Sequence, residues 1–196
     1  MLANIMFDVR SVINGYAQGH FLMAEEEGVP VEWYYTKSRT LIPLDDRFRY
    51  PRSLRRAINK DQFQVKINAA FGAVVDGCAD RQTTWISDQL KAIYHELNRA
   101  GWAYSFETWC GEELAGGILG ISIGGAFIGE SMFFRVSDGS KVAMVKLVDH
   151  LRSRGFLLFD AQLMNPHLQR FGAYEVSDSE YRRMLDIALQ MPCSML

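Results

Sequence analysis

The chain has 196 residues, of which 48% are hydrophobic and 22% charged, so it can bury a core and is not a disordered chain. That length suits one domain, or one domain with a small attached lobe. The formal net charge of −2 argues against a protein that coats nucleic acid without specificity, but it is compatible with a local basic patch.

The cysteines and the hydropathy pattern bear on the compartment. Cys78, Cys110 and Cys193 are far apart, and no pair has the spacing of a redox or metal-binding motif. The sequence has no signal-peptide pattern and no apolar run long enough to span a bilayer. We therefore expect a cytoplasmic protein with reduced thiols and no metal site.

The N-terminal third predicts short elements. Residues 11–24 have the pattern of a short helix interrupted by glycine, and residues 31–35 and 40–44 are two strand candidates. One or two helical turns are expected over residues 50–61, and residues 63–70 alternate as a strand does.

From residue 85 onward the patterns are stronger. Ile86, Leu90, Ile93 and Leu97 lie on one helical stripe, which Gly101 ends. Three strand-like runs follow, "AYSFETW", "ELAGGILGIS" and "AFIGESMFFR", separated by the short segments "CGE" and "IGG". Such a succession is typical of an antiparallel meander.

The C-terminal part adds a helix, a strand and a helix. Ser140 is the expected N-cap of the first helix, and Gly155 ends it. The strand "FLLFDAQ" follows, and then Ser177 and Glu180 have the spacing of a capping box before the last helix.

This order of elements predicts an α+β fold. Helix, three antiparallel strands, helix, strand and helix resemble the GNAT-type acyltransferase arrangement, although element order alone is weak support for a function. We expect a small N-terminal α/β lobe over residues 1–62 and a GNAT-like domain over residues 63–196.

Four polar residues stand at the end of the strand "FLLFDAQ" and just after it. Asp160 and Gln162 are two positions apart, so we expect them to share one strand face at its C-terminal end, where loops build sites. Asn165 and His167 follow. The alternative is that these residues only cap the next turn, and Asn165 before Pro166 fits that alternative.

Glu130 lies within an apolar strand, among Phe127, Met132 and Phe133. A buried carboxylate needs a partner or water, because leaving its charge unpaired is costly. Such surroundings suit a pocket for an apolar side chain next to an ammonium group. An edge strand with Glu130 facing solvent is the alternative, and the pattern alone does not decide between the two.

Basic residues are concentrated between residues 37 and 66, where nine Lys and Arg side chains stand against three aspartates. Trp33, Tyr34 and Tyr35 lie just upstream. Cations next to stacking rings are typical of sites for single-stranded RNA ends. An ordinary solvated surface is the alternative.

The segment from Gly120 to Gly124 matches the G-x-S-x-G pattern of serine hydrolases, with Ser122 at its centre. That chemistry requires a strand, a sharp turn and then a helix. Here the following residues predict a hairpin into another strand, so the sequence does not favour a hydrolase.

Several long motifs together resemble one family. They are "VKINAAFGAVVDGCADR", "TTWISDQLKAIYHEL", "FETWCGEELAGGILG", "GESMFFR" followed by "SK", and "LFDAQLMNPHLQRFGA". In this order they resemble the leucyl/phenylalanyl-tRNA–protein transferases. "GYAQGHF" and "PVEWYYTKSR" extend the resemblance more loosely to about residue 15, so it covers most of the chain.

The resemblance implies an activity and its partners. Such enzymes move leucine or phenylalanine from its charged tRNA onto the α-amino group of a protein that begins with Arg or Lys. The added residue marks that protein for degradation by the bacterial N-end rule. No cofactor beyond the aminoacyl-tRNA is implied, and we expect a monomer.

The resemblance also implies residue roles. Asp160 and Gln162 would lie at the reaction centre, with the aspartate orienting and polarising the glutamine. Since a neutral amide is a very poor base, we expect Gln162 to orient the attacking amine rather than to deprotonate it. Glu130 would hold the α-ammonium of the donor.

The other implied contacts fall into four groups. The pocket for the transferred side chain would be lined by Ile118, Phe127, Met132, Leu147 and Phe159. The terminal adenosine of the tRNA would contact Trp85 and Tyr94, and Asn165 and His167 would support the acceptor side. The tRNA phosphates would meet Arg39, Arg52, Arg55 and Arg56. Leu22 and Met23 stand where Pro-Trp is usual in the family. Ile118 and Leu147 also depart from its pocket lining.

Three other functions are alternatives. An acetyl-CoA-dependent GNAT enzyme needs an R/Q-x-x-G-x-G/A loop at a helix N-terminus, and the corresponding stretch "RVSDGSK" lacks that spacing. A bacterial transferase that adds leucine to N-terminal Asp or Glu does not have these motifs. A non-catalytic module that binds tRNA or N-degrons is the third alternative.

Overall fold

The computed structural model describes residues 7–25 and 29–196. Within that part, seven helices are present, namely α1 (Val9–Ala17), α2 (Arg52–Asn59), α3 (Phe71–Ala79), α4 (Asp88–Arg99), α5 (Gly139–Ser153), α6 (Pro166–Gln169) and α7 (Asp178–Leu189). The strands there are β1 (Phe21–Met23), β2 (Glu32–Tyr34), β3 (Ser38–Leu41), β4 (Gln64–Ile67), β5 (Ala103–Cys110), β6 (Glu113–Ile123), β7 (Ala126–Phe134), β8 (Leu158–Gln162) and β9 (Tyr174–Ser177).

Seven of the strands form one sheet in the order β4-β5-β6-β7-β8-β3-β9, and β1 pairs with β2 in a separate two-stranded sheet. All pairings are antiparallel except that of β7 with β8. The predicted α+β class and the antiparallel meander of β5, β6 and β7 are therefore confirmed.

The parallel pair β7–β8 divides the sheet. Only Ala126, Phe127 and Ile128 of β7 are paired with β8, opposite Leu158, Phe159 and Asp160. β7 then continues to Phe134, whereas β8 ends at Gln162. The two strands thus separate beyond their third pair, and a gap opens in the middle of the sheet.

Helices cover both faces of the sheet. One hydrophobic cluster contains buried side chains of α1, α3, α4 and α7, such as Val74, Leu97 and Leu185. The other contains those of α5 and α2, such as Val148 and Leu54. β6 is buried along nearly its whole length because it lies between the two clusters.

Two predicted helix ends were wrong. The helix expected over residues 11–24 ends at Ala17, because Gly19 turns the chain with φ = +83° and residues 21–23 then form β1. Asp138 rather than Ser140 occupies the N-cap position of α5, although its side chain makes no capping hydrogen bond, and Ser140 is buried in the first turn. At α7 the predicted cap is confirmed, since Oγ of Ser177 accepts a hydrogen bond from the backbone N–H of Glu180 (3.3 Å).

The structure also contains elements that the sequence did not predict, namely α3, α6 and β9. β3, from the N-terminal part of the chain, lies between β8 and β9 in the large sheet. It brings residues 38–41 next to the C-terminal end of β8, where Asp160 and Gln162 lie. No helix in the described residues is long and apolar enough to cross a membrane.

Candidate active site

A cavity of about 480 Å³ lies at the gap between β7 and β8. Its size is within the range of small-molecule sites. It is mainly apolar, and its large apolar lining residues are Phe21, Leu22, Met23, Trp85, Ile118, Met132, Phe134, Met144, Phe159, Leu163 and Leu168. Among its polar lining residues are Arg81, Glu130, Gln162, Asn165 and His167.

Three of the five predicted pocket residues line this cavity, namely Ile118, Met132 and Phe159. Phe127 and Leu147 are completely buried in the layer behind it. The rings of Phe127 and Phe159 pack edge to face with their centroids 5.3 Å apart, so Phe127 supports the wall from behind. Met144 was missed as a lining residue because its helical spacing indicated only a core position.

Glu130 supplies a carboxylate to the lining of the cavity. It is 6% exposed on an inner strand, so the alternative of a solvent-facing edge strand was wrong. The hydroxyl of Tyr94 donates to its Oε2 at 2.7 Å, and Nε2 of Gln162 donates to its Oε1 at 3.0 Å. Burial raises its pKa from 4.5 to about 7, although the hydrogen bonds from Tyr94 and Tyr16 act to lower it.

Gln162 has an unusual backbone for the last residue of a strand. Its φ is +59°, in the left-handed region, which costs a residue with a β-carbon roughly 1–2 kcal/mol. Its backbone N–H donates to Oδ1 of Asp160 at 2.8 Å. Because its side-chain nitrogen donates to Glu130, its amide oxygen is the part of the side chain that can accept a hydrogen bond from a ligand in the cavity.

Asp160 lies behind the cavity wall. Phe159, Ala161 and Gln162 line the cavity, whereas Asp160 does not and has no exposed surface. The expectation that Asp160 and Gln162 share one strand face was therefore wrong, because the left-handed conformation of Gln162 breaks the alternation. Asp160 holds the backbone of Gln162 and leaves the orientation of its side chain to Glu130.

Arg39 and Tyr181 complete the surroundings of Asp160. The Nε–H of Arg39 is shared between Oδ1 (3.0 Å) and Oδ2 (2.9 Å) of the carboxylate. The hydroxyl of Tyr181 donates to Oδ2 at 2.7 Å and accepts from Nη2 of Arg39 at 3.1 Å. Arg39 is only 2% exposed, so its predicted contact with tRNA phosphates is corrected to a buried ion pair.

The two residues expected at the adenosine have different positions. Trp85 lines the cavity, as do Leu22 and Met23. Tyr94 is fully buried and its hydroxyl is used by Glu130, so it does not offer a surface to a ligand. Its predicted role as an adenosine contact is therefore corrected to that of a support for Glu130.

Asn165 and His167 both line the cavity. Oδ1 of Asn165 accepts from the backbone N–H of Leu168 at 3.0 Å, so this side chain caps α6, as one of the two interpretations of its sequence predicted. Nε2 of His167 is buried without a hydrogen-bond partner in the described part of the chain. Burial, together with the charges of Arg170 and Lys141, lowers the pKa of His167 and favours a neutral ring.

The other three arginines predicted to contact tRNA lie on α2 and do not line the cavity. Arg52, Arg55 and Arg56 are exposed along α2, while Leu54 on its other side is buried. Arg81, which the sequence did not single out, lines the cavity, and its Nη2 donates to the backbone oxygen of Met132 at 2.7 Å.

In the described residues no group of three or more His, Cys, Asp or Glu side chains could hold a metal ion.

Comparison with known proteins identifies relatives along almost the whole chain. Residues 41–186 match a family described as leucyl/phenylalanyl-tRNA protein transferase, and residues 6–37 match the N-terminal domain of the same family. A protein named leucyl/phenylalanyl-tRNA–protein transferase from Gloeothece citriformis is 62% identical over 192 residues, which are 98% of this chain and 100% of the relative.

Two further relatives carry the same name. The protein from Thermosynechococcus vestitus is 66% identical over 181 residues, 92% of this chain and 91% of its own. The protein from Chlorobium limicola is 44% identical over 188 residues, 94% of this chain and 96% of its own.

Proposed function

Because the chain belongs to the leucyl/phenylalanyl-tRNA–protein transferase family, we propose that the cavity between β7 and β8 is the site of aminoacyl transfer. The protein is an aminoacyltransferase that uses charged tRNA as the donor and a protein as the acceptor. In this family the reaction serves the N-end rule of protein degradation. The acceptors that we propose are proteins that begin with Arg or Lys.

One observation carries the site proposal: an apolar cavity is lined by the carboxylate of Glu130, hydrogen-bonded to the amide of Gln162. Leucine and phenylalanine each combine an apolar side chain with an α-ammonium group. The side chain fits the wall formed by Ile118, Met132 and Phe159, and the ammonium fits Glu130. A bound ammonium favours the ionised form of Glu130, whose pKa burial raises to about 7.

The chemical step forms one bond and breaks another. The α-amine of the acceptor attacks the carbonyl carbon of the aminoacyl ester, the new C–N bond forms, and the C–O bond to the ribose breaks. The proton that the amine loses goes to the departing ribose oxygen. The amide oxygen of Gln162 accepts a hydrogen bond from the attacking amine and fixes its direction.

Positioning can supply most of the acceleration. Holding an amine and an activated ester in attack geometry contributes about 7–11 kcal/mol to lowering a barrier. Gln162 need not act as a base, since an amide binds protons very poorly. Asp160 acts on the reaction through Gln162, because it does not reach the cavity.

We propose three further contacts for the substrates. Trp85 stacks on the terminal adenosine of the donor, and Asn165 with His167 faces the acceptor. Arg52, Arg55 and Arg56 meet the phosphates of the tRNA, which makes binding sensitive to salt. The donor is a cytoplasmic molecule, so we propose the cytoplasm as the compartment.

We also propose a GNAT-like arrangement for the large sheet. The separation of β7 and β8 supports it, since a gap between central strands admits the acyl donor. The division into a lobe over residues 1–62 and a domain over residues 63–196 remains a proposal. β3 belongs to the first range and yet pairs within the large sheet, so the two parts share strand pairing.

The test is single-turnover transfer of labelled leucine from charged tRNA to a peptide that begins with Arg. Matched peptides are the same sequence with an acetylated N-terminus and one that begins with Asp. Label on the Arg peptide alone, strongly reduced by Gln162→Ala, is the expected result. Binding of charged tRNA without label on any peptide would mean that the protein is a binding module.

A further inference from the structure

We propose that Arg39 and Tyr181 are positioning residues of the transfer reaction, which set the backbone of Gln162 through the carboxylate of Asp160. The proposal rests on the proposed function of the cavity. It assigns a role to two residues that do not line the cavity and that belong to distant elements, β3 and α7.

Arg39 reaches Asp160 because of the sheet topology. β3 lies beside β8, with Leu41 opposite Asp160 and Thr40 opposite Gln162, and the register shifts between these two pairs. Arg39 directly precedes Thr40 in β3, and its Nε lies 3.0 and 2.9 Å from the two oxygens of Asp160. The guanidinium packs 4.4 Å from the centroid of the Tyr181 ring, which restricts its movement.

Tyr181 also holds the carboxylate of Asp160. Its hydroxyl lies 2.7 Å from Oδ2 of Asp160 and also accepts from Nη2 of Arg39. With Oδ2 held in this way, Oδ1 remains turned toward the backbone N–H of Gln162 at 2.8 Å. The rotamer of Asp160 is therefore fixed by two partners that also contact each other.

The backbone of Gln162, which this cluster holds, is strained. Gln162 has φ = +59°, which a residue with a β-carbon keeps only where its surroundings impose it. In an extended conformation its side chain would alternate to the face opposite Ala161 and lose its contact with Glu130. In the described part of the chain, the Arg39–Asp160–Tyr181 cluster holds the backbone N–H of Gln162 through the Asp160 carboxylate. It therefore maintains the direction of the side-chain amide of Gln162.

A purely structural role does not account for these residues equally well. A buried ion pair rarely stabilises a fold more than apolar side chains of similar size would, because its charges must be desolvated. Arg39 and Asp160 are 2% and 0% exposed, and they lie directly behind the residue that faces the substrate. At that position the ion pair can orient Gln162 toward the substrates.

The experiment is a double-mutant cycle on the full-length chain. Steady-state transfer is measured for wild type, Arg39→Lys, Gln162→Ala and the double variant, and thermal unfolding is measured for all four. Lys keeps the charge beside Asp160 but cannot make the same fork of hydrogen bonds. Arg39→Lys alone is expected to lower kcat by roughly 100-fold with the KM for charged tRNA unchanged.

The effect of Arg39→Lys in the Gln162→Ala variant distinguishes a positioning role from a structural role. If Arg39 acts through Gln162, adding Arg39→Lys to Gln162→Ala leaves kcat unchanged, although the melting temperature falls as in the single variant. An equal further loss of kcat in both backgrounds would overturn the proposal and leave Arg39 with a structural role. So would a single variant that loses stability but retains the wild-type kcat.

A gentler variant covers the case in which Arg39→Lys fails to fold. Tyr181→Phe removes only the hydroxyl, and it is expected to lower kcat in the wild-type background but not beside Gln162→Ala. The matched controls are Tyr104→Phe, whose hydroxyl contacts the backbone of Gly101, and Arg182→Lys, whose partner is Asp178; both are expected to retain activity. Wild-type transfer in the same assay tests the proposed function separately.

Discussion

Nε2 of Gln162 lies 3.0 Å from Oε1 of Glu130, so the amide that faces the substrates is oriented by a carboxylate on the neighbouring strand. The two residues stand on opposite sides of the gap between β7 and β8. Their contact joins the group proposed to bind the donor ammonium to the group proposed to bind the acceptor amine. A change at either residue is therefore expected to affect both substrates.

Glu130→Gln should change how stability depends on pH. Burial raises the pKa of Glu130 from 4.5 to about 7, so the unfolded chain ionises first and the folded state loses stability as the pH rises between these values. A shift of that size corresponds to about 3 kcal/mol. The free energy of unfolding of the variant, minus that of wild type, should therefore grow by about this amount between pH 4 and pH 8.

Urea titrations at several pH values measure this difference. A difference that stays constant across the range would mean that Glu130 ionises normally in the folded protein. Glu113→Gln, at an exposed glutamate on β6, is the matched control for the loss of one carboxylate.

Tyr94→Phe should move the pH profile of transfer to higher pH. The hydroxyl of Tyr94 stabilises the ionised form of Glu130 at 2.7 Å, so its removal raises the pKa of Glu130 further. If the ionised form of Glu130 binds the donor ammonium, kcat/KM rises with pH through the pKa of Glu130. The pH at the midpoint of this rise is therefore higher in the variant than in wild type. Tyr104→Phe should retain the wild-type midpoint, and an unshifted profile in both variants would contradict a role for ionised Glu130.

Met144→Ala should change the preference between the two amino acids. Met144 lines the cavity from α5 and is 2% exposed, so its loss enlarges the apolar pocket. Lost contact with the smaller side chain should lower kcat/KM for leucine by roughly tenfold or more, and that for phenylalanine by less. Competition between leucyl-tRNA and phenylalanyl-tRNA measures the ratio. Met191→Ala, outside the cavity, is the control, and equal losses for both donors would place Met144 away from the bound side chain.

Changing Arg52, Arg55 and Arg56 together to Gln should weaken tRNA binding and reduce its salt dependence. Each lost phosphate contact lowers the slope of log K against log salt by roughly 0.7–0.9. The thermal stability should stay close to that of wild type, since the three side chains are exposed. Filter binding of charged tRNA at several salt concentrations is the measurement.

A variant of equal charge separates local contact from net charge. Arg99, Arg154 and Arg183 lie on or next to other helices, and their joint replacement by Gln removes the same number of charges. That replacement should leave most of the salt slope in place. Equal losses in both triple variants would mean that overall charge attracts the tRNA and α2 does not contact it.

The strongest predictions from sequence concerned residues near each other in the chain. The meander and the last helix with its Ser177 cap follow local rules of alternation, helical spacing and capping, and the structure confirmed them. Glu130 stands out in the sequence because a carboxylate in an apolar strand is costly unless it has a partner. The fold class and this candidate for the site could therefore be predicted from local patterns in the chain.

Tertiary structure alone decided how the site is held. Arg39 stands 121 positions from Asp160 in the chain and within a basic segment, so nothing local distinguishes it from the exposed arginines of α2. Only the insertion of β3 beside β8 buries it against that carboxylate. Likewise, alternation placed Asp160 and Gln162 on one face, and only the left-handed backbone of Gln162 separates them. Local sequence patterns show which polar groups are present, but long-range strand pairing selects those that face the cavity, because burial and ion pairing depend on neighbours that lie far apart in the chain.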